Sequence, residues 1–114
     1  MEYCMIETAF DNKEELERTI KELLDKKLVS SCQVVESNST WNWNGELESA
    51  KELLLFMKSK NTLVNDIYKV IKQIHSYDCF EFAIFQLDSC NKDYLKWIDD
   101  EAKQMYIKSK EIDN

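Results

Sequence analysis

Trp41-Asn42-Trp43-Asn44-Gly45-Glu46-Leu47 decides the fold. Asn44-Gly45 is a hairpin signal, because both central residues of a type I′ turn need positive φ, which asparagine tolerates and glycine adopts freely. Before the turn, Cys32 to Trp43 is extended in character, with β-branched Val34 and Val35 and alternating Trp41 and Trp43. After it, a second arm runs to the apolar stretch Leu53 to Met57, and its interruption at Ser49-Ala50-Lys51 predicts a bend or bulge.

A helical pattern lies on each side of this hairpin. Asp11 or Asn12 caps the first helix, with Glu14 or Glu15 three positions on. Leu16, Ile20, Leu23, Leu24 and Leu28 mark its apolar face. Asn61-Thr62 opens the second helix, whose apolar face carries Leu63, Ile67, Val70, Ile71 and Ile74. Tyr3 to Thr8 reads as a strand ahead of the first helix, and Phe80 to Leu87 as a strand behind the second. The order β-α-β-β-α-β is the split βαβ arrangement, so the fold class is α+β: a ferredoxin-like sandwich with a long hairpin and its first and last strands side by side. Asn91 caps an added C-terminal helix with Tyr94, Ile98, Ala102 and Met105 at helical spacing and Trp97 on its flank.

The 114 residues suit one domain over 1–107 with a polar tail over 108–114 that frays. A net charge of -7 repels phosphate backbones, which argues against nucleic acid and makes a divalent cation the more welcome partner. An RNA-binding module on the same fold would need a basic field, which is missing. The longest apolar run, Leu53 to Met57, is too short for a membrane span, and Glu2 directly after Met1 gives no secretory signal. Cys4, Cys32, Cys79 and Cys90 have neither zinc-finger nor redox-pair spacing, so they read as reduced thiols in a cytoplasmic setting.

His75-Ser76-Tyr77-Asp78-Cys79-Phe80-Glu81 holds the chain's one histidine, at the junction of a helical and a strand pattern. Within seven residues it offers an imidazole, a phenol, two carboxylates and a thiol. An enzyme would use Cys79 as nucleophile and His75 as base, but no third orienting group is marked and no glycine-rich oxyanion cradle exists, so the reading is non-catalytic.

Taken with Thr8-Ala9-Phe10-Asp11, Leu28-Val29-Ser30-Ser31-Cys32, Trp43-Asn44-Gly45-Glu46-Leu47 and Asn91-Lys92-Asp93-Tyr94-Leu95-Lys96-Trp97, this segment resembles the CutA family of divalent-cation tolerance proteins from about Tyr3 to Glu101. The resemblance implies a homotrimer similar in architecture to PII signalling proteins. It also implies binding of divalent metal, copper above all with zinc possible, and a role in tolerance and response to metal ions. The chain departs from the family where Phe10, Ser76 and Phe80 stand at positions that usually hold proline, and Glu7 where some members have cysteine. Proline fixes φ, so its loss predicts a less preorganised histidine loop. Carboxylate in place of thiolate makes a site harder and less selective for Cu(I).

A divalent metal wants donors converging at about 2.0–2.3 Å. His75, Glu81 and Glu7 are the set that the predicted strand pairing brings closest, and alternation puts Cys79 on the same face as Glu81. The plainer reading makes His75 a cap at the C-terminus of the second helix, and Glu7 and Glu81 hydrogen-bond acceptors between subunits. Tyr77, Trp41, Trp43, Tyr94 and Trp97 are candidates for a ligand pocket or, as aromatic residues often are, for an interface. The function expected is a metal-binding homotrimer; the alternative is a non-catalytic trimeric signalling or scaffold module that binds a small ligand or a protein.

Overall fold

A computed structural model describes residues 2–103. The expected tail over 108–114, the domain limit at 107 and Met105 lie outside these residues. The elements are β1 (Tyr3–Phe10), α1 (Lys13–Asp25), β2 (Ser31–Trp43), β3 (Glu46–Lys60), a 3-10 turn (Asn61–Leu63), α2 (Val64–Ile74), β4 (Ala83–Gln86) and α3 (Lys92–Glu101). They form one four-stranded antiparallel sheet in the order β2-β3-β1-β4. This is the α+β, ferredoxin-like topology expected, with the first and last strands adjacent.

Local chemistry sets the element ends. The Asn12 Oδ1 accepts from the Glu15 backbone N–H at 3.1 Å, which satisfies an open donor of α1. At the other end Lys27 takes φ 55° and the Leu28 N–H reaches back to the Leu23 carbonyl at 3.0 Å, a Schellman closure built without glycine. The hairpin turns on Asn44 at φ 50° and Gly45 at φ 82°, as a type I′ turn requires.

Alternation divides the sheet. Cys4, Ile6, Thr8 and Phe10 of β1, with Leu55, Met57 and Ser59 of β3, turn to the helix side and are fully buried there. Leu16 and Leu23 of α1, Ile67 and Ile71 of α2, and Ile98 and Ala102 at α3 complete this core. Leu24, expected on the apolar face of α1, is instead exposed. The C-terminal helix is tied down by the Tyr3 hydroxyl, which donates to Asp99 at 2.7 Å, and by the Lys103 N–H on the Lys27 carbonyl at 2.6 Å. The other face carries Met5, Glu7, Ala9, Val35, Leu54, Phe56 and Phe85, as the cross-strand register shows, and no helix of the described residues covers it.

Two expectations need correction. The β2–β3 ladder runs without a break from Ser31↔Lys58 to Trp43↔Glu46, and Thr40↔Ser49, Ser39↔Ala50 and Asn38↔Lys51 stay in register, so there is no bulge. The hydrophobic pattern lapses there because the ribbon has left the core and both its faces meet solvent. The last strand is also shorter than Phe80 to Leu87. Only Ala83–Gln86 pairs with β1, and Phe80 and Phe82 are apolar because they pack on the Tyr68 ring of α2, at centroid distances of 5.6 and 5.2 Å.

Candidate functional site

The segment from His75 to Phe82 folds back over the end of β1 and is held there by side-chain contacts. His75 is the C-cap of α2: its N–H donates to the Ile71 carbonyl at 2.8 Å and its backbone turns extended. Nδ1 accepts the Tyr77 N–H at 3.2 Å, which leaves the ring proton on Nε2, and Nε2 donates to the Ala9 carbonyl at 2.6 Å. Phe10 stacks on one side of the imidazole at 4.2 Å and Phe80 lies nearly parallel at 5.0 Å. The ring is buried. Both nitrogens are therefore spent on the backbone.

In this geometry the expected ligand set does not gather around the imidazole. His75 does not join Glu7 and Glu81, and among the described residues no three His, Cys, Asp or Glu side chains stand at metal-binding spacing. Nor has His75 a free basic nitrogen to offer Cys79, because the Tyr77 N–H holds one and the Ala9 carbonyl the other. The plainer reading of His75 as the cap of α2 is the one the geometry follows.

The positions without proline also behave differently from the expectation of a looser loop. Phe10 and Phe80 supply the rings that enclose His75. Ser76 supplies a backbone N–H that donates to Glu15 Oε1 at 2.9 Å, a donor that proline lacks. Aromatic packing and one charge-assisted hydrogen bond hold the loop where a fixed φ would otherwise stiffen it.

Glu7 and Glu81 do come together. Glu7 sits opposite Ala83 on the open face of β1, and its carboxyl is near enough to that of Glu81 to raise it. Partial burial, then the neighbouring Glu7 carboxyl and the charge of Glu52, push the Glu81 carboxyl up to about 7.

Next to this pair a groove of about 440 Å³ opens between the hairpin ribbon and the loop. Ala9, Trp41, Trp43, Glu48, Glu52, Tyr77, Asp78, Cys79 and Glu81 line it. The Tyr77 hydroxyl donates to Glu52 Oε2 at 2.9 Å and ties the loop to the ribbon. Burial, that bond, and the charges of Glu52, Asp11 and Glu15 all raise the Tyr77 phenol, so it stays protonated and keeps donating. Of the expected pocket residues, Trp41, Trp43, Tyr77 and Cys79 thus share one groove. Tyr94 and Trp97 do not: they lie on α3 with rings 5.7 Å apart and are absent from the lining.

Sequence reasoning missed Glu48, Glu52 and Asp78. The signal for the two glutamates was present: counting outward from Asn44-Gly45 sets Trp43 against Glu46, Trp41 against Glu48 and Ser37 against Glu52. The Glu15 contact to Ser76 had no signal, since it joins residues far apart in the chain.

The chain matches the family described as CutA1 divalent ion tolerance protein over residues 4–101. It is 30% identical over 100 residues to the divalent-cation tolerance protein CutA of Pyrococcus horikoshii, covering 88% of this chain and 98% of that one. The crystal structure of CutA1 from Pyrococcus horikoshii superposes with a TM-score of 0.83 at 29% identity, over 89% of this chain and 99% of that chain. The structure of the periplasmic divalent cation tolerance protein CutA from Archaeoglobus fulgidus gives 0.85 at 27% identity, over 89% and 99%. Sheet order, sequence and superposition agree over almost the whole described chain, and it belongs to the CutA1 family of divalent ion tolerance proteins.

Proposed function

We propose that the chain serves divalent-cation tolerance by holding a divalent metal ion, copper ahead of zinc, at the Glu7–Glu81 pair. The observation that carries this reading is the crowding of two carboxyls at one end of β1, where partial burial and the Glu7 charge raise the Glu81 carboxyl. A divalent cation between them relieves their repulsion and neutralises both carboxylates at once, which one proton cannot do. Carboxylate oxygens are hard donors, so the pair suits Cu(II) or Zn(II) over Cu(I), and Cu(II) over Zn(II) in the ordinary order of affinities. Two carboxylates do not fill a coordination sphere, and the remaining positions fall to water or to a second subunit. His75 supports the site from behind by fixing the Ala9 carbonyl and the start of the loop.

The assembly proposed is a closed homotrimer. The uncovered sheet face exposes Val35 and Phe85, and Leu47 at the hairpin tip is 72% exposed. Apolar surface of this kind marks an interface, and a closed ring also uses up strand edges. No helix of the described residues is long and apolar enough to cross a membrane. All four cysteines are free, which supports a reducing, cytoplasmic setting.

Calorimetric titration with Cu²⁺ near pH 6, in buffers of different ionisation enthalpy, tests the metal reading. Binding should release close to one proton per ion, and Glu81→Gln should weaken it at least about tenfold, or 1.4 kcal/mol. An unchanged affinity in Glu81→Gln would remove the site. Sedimentation equilibrium should return three times the 13.6 kDa chain mass, and a monomer at micromolar concentration would refute the trimer.

A further inference from the structure

We propose that the groove between the ribbon and the 75–82 loop is a second site, bordering the Glu7–Glu81 pair at Glu81, for an organic cation: an alkylammonium group seated against Trp41 and Trp43 with its charge facing Glu48 and Glu52.

The lining combines two features seldom placed together. Trp41, Trp43 and Tyr77 supply three aromatic rings, and Glu48, Glu52, Asp78 and Glu81 supply four carboxylates. Lysine, arginine and histidine are absent from the described lining. The register makes the combination: Trp41 pairs across the ribbon with Glu48 on the same face, and Ser37, four residues back, pairs with Glu52. Trp41 and Trp43 remain 37% and 51% exposed, so their ring surface is not consumed by the core. Glu52 is held in place by the Tyr77 hydroxyl, which fixes one carboxylate at the wall.

This chemistry selects one ligand class. Phosphates and other anions meet an acidic wall with no counter-charge. A neutral apolar molecule covers the indoles but strips water from carboxylates without replacing it. A small metal ion draws donors from the carboxylates, but an indole face gives it no ligand oxygen or nitrogen. A quaternary or alkylated ammonium is weakly hydrated and apolar at its surface, and aromatic faces attract its charge. It satisfies rings and acids together. The volume of about 440 Å³ lies within the range of small-molecule sites, about 300–1,000 Å³. A second hollow of about 490 Å³, beyond Glu52, contains Asp11, Glu36 and Lys51 but no aromatic ring, and does not share this selectivity.

The test uses the full chain in solution. Tryptophan fluorescence is titrated with choline and, in parallel, with its neutral carbon isostere 3,3-dimethylbutan-1-ol. Trp97 lies outside the groove and provides an internal reference. Choline should give a saturable change, with the alcohol about tenfold weaker or more. Trp41→Leu and, separately, Glu48→Gln should weaken choline by several-fold to about tenfold, with Cu²⁺ affinity within about twofold of the parent. Glu48 is exposed, so its variant keeps the test valid if Trp41→Leu folds poorly. Cys79, exposed in the same groove, should be alkylated more slowly when choline is present. Equal binding of choline and the alcohol, no saturation, or binding unaffected by Glu48→Gln overturns the proposal. So does a groove already filled by a side chain of a second copy, which choline would not enter. Failure of Cu²⁺ binding alone, with choline retained, counts against the metal reading and not this one.

Discussion

Phe10 and His75 stack ring on ring, with centroids 4.2 Å apart and planes 10° from parallel. The imidazole is thereby part of the core, and its hydrogen bond to the Ala9 carbonyl satisfies a buried acceptor. His75→Phe keeps the ring stack and deletes both ring hydrogen bonds. It should cost about 1–3 kcal/mol in urea unfolding, the usual penalty for an acceptor left without a partner. Cu²⁺ affinity should stay close to the parent value. A large loss of Cu²⁺ binding in a folded His75→Phe protein would return His75 to the ligand set.

Ser76→Pro restores the residue usual in the family and removes the N–H that reaches Glu15. A hydrogen bond to a charged group contributes about 1.5–3 kcal/mol, whereas proline's restriction of the unfolded chain returns only about 0.4–1 kcal/mol. The variant should be less stable by about 1 kcal/mol, while Ser76→Ala, which keeps the N–H, should be nearly neutral. Denaturant midpoints of the three proteins decide it. A gain in stability with proline would mean that Glu15 does not hold the loop.

Glu81 sets a pH dependence. Its carboxyl is raised from 4.5 to about 7, first by burial and then by Glu7 and Glu52. Between those values the folded chain keeps a proton that the unfolded chain releases, so stability falls as pH rises through the window. Below about 4.5 both states are protonated and the effect vanishes. Unfolding midpoints measured from pH 4.5 to 8 should decline, and Glu81→Gln, neutral throughout, should flatten the decline. A slope identical in both proteins would assign it to another group.

The thiols should react in order of exposure. Cys79 is exposed, Cys90 is half-buried, and burial pushes Cys4 up to about 11 and Cys32 up to about 12. Thiolate is the reactive form, so Cys79 should react fastest with a disulfide reagent in the native protein, and Cys4 and Cys32 only on unfolding. Cys79→Ser should delete the fastest phase of the time course. Four equal rates would contradict the burial of Cys4 and Cys32.

Where sequence reasoning succeeded, one local rule was enough. Asn44-Gly45 demanded a type I′ turn, and everything out to Trp41 and Glu48 follows by counting. The helices were legible from their apolar spacing because each packs a single face on the sheet. It failed where a residue's partner was backbone. The Ala9 carbonyl that occupies His75 is invisible in side-chain chemistry, and so a structural imidazole resembled a ligand. Phe80 and Phe82 resembled strand residues because apolar content does not distinguish a ladder from a ring contact on Tyr68. Glu81 lies just ahead of the paired residues, so its place near Glu7 depends on the course of the loop and not on the ladder.

The unbroken β2–β3 ladder constrains how this ribbon can change length over descent. Residues along each arm alternate faces, and no bulge resets the phase anywhere between Ser31↔Lys58 and Trp43↔Glu46. One residue added to each arm near Val35 and Leu54 would keep every cross-strand partner yet exchange hydrogen-bonded for non-hydrogen-bonded pairs beyond it and rotate Trp41, Trp43, Glu48 and the hairpin tip to the opposite side of the sheet. Two residues added to each arm would return them to the side of Ala9 and Glu81, displaced by one full pleat. An insertion or deletion that keeps the groove must therefore come in an even step per arm.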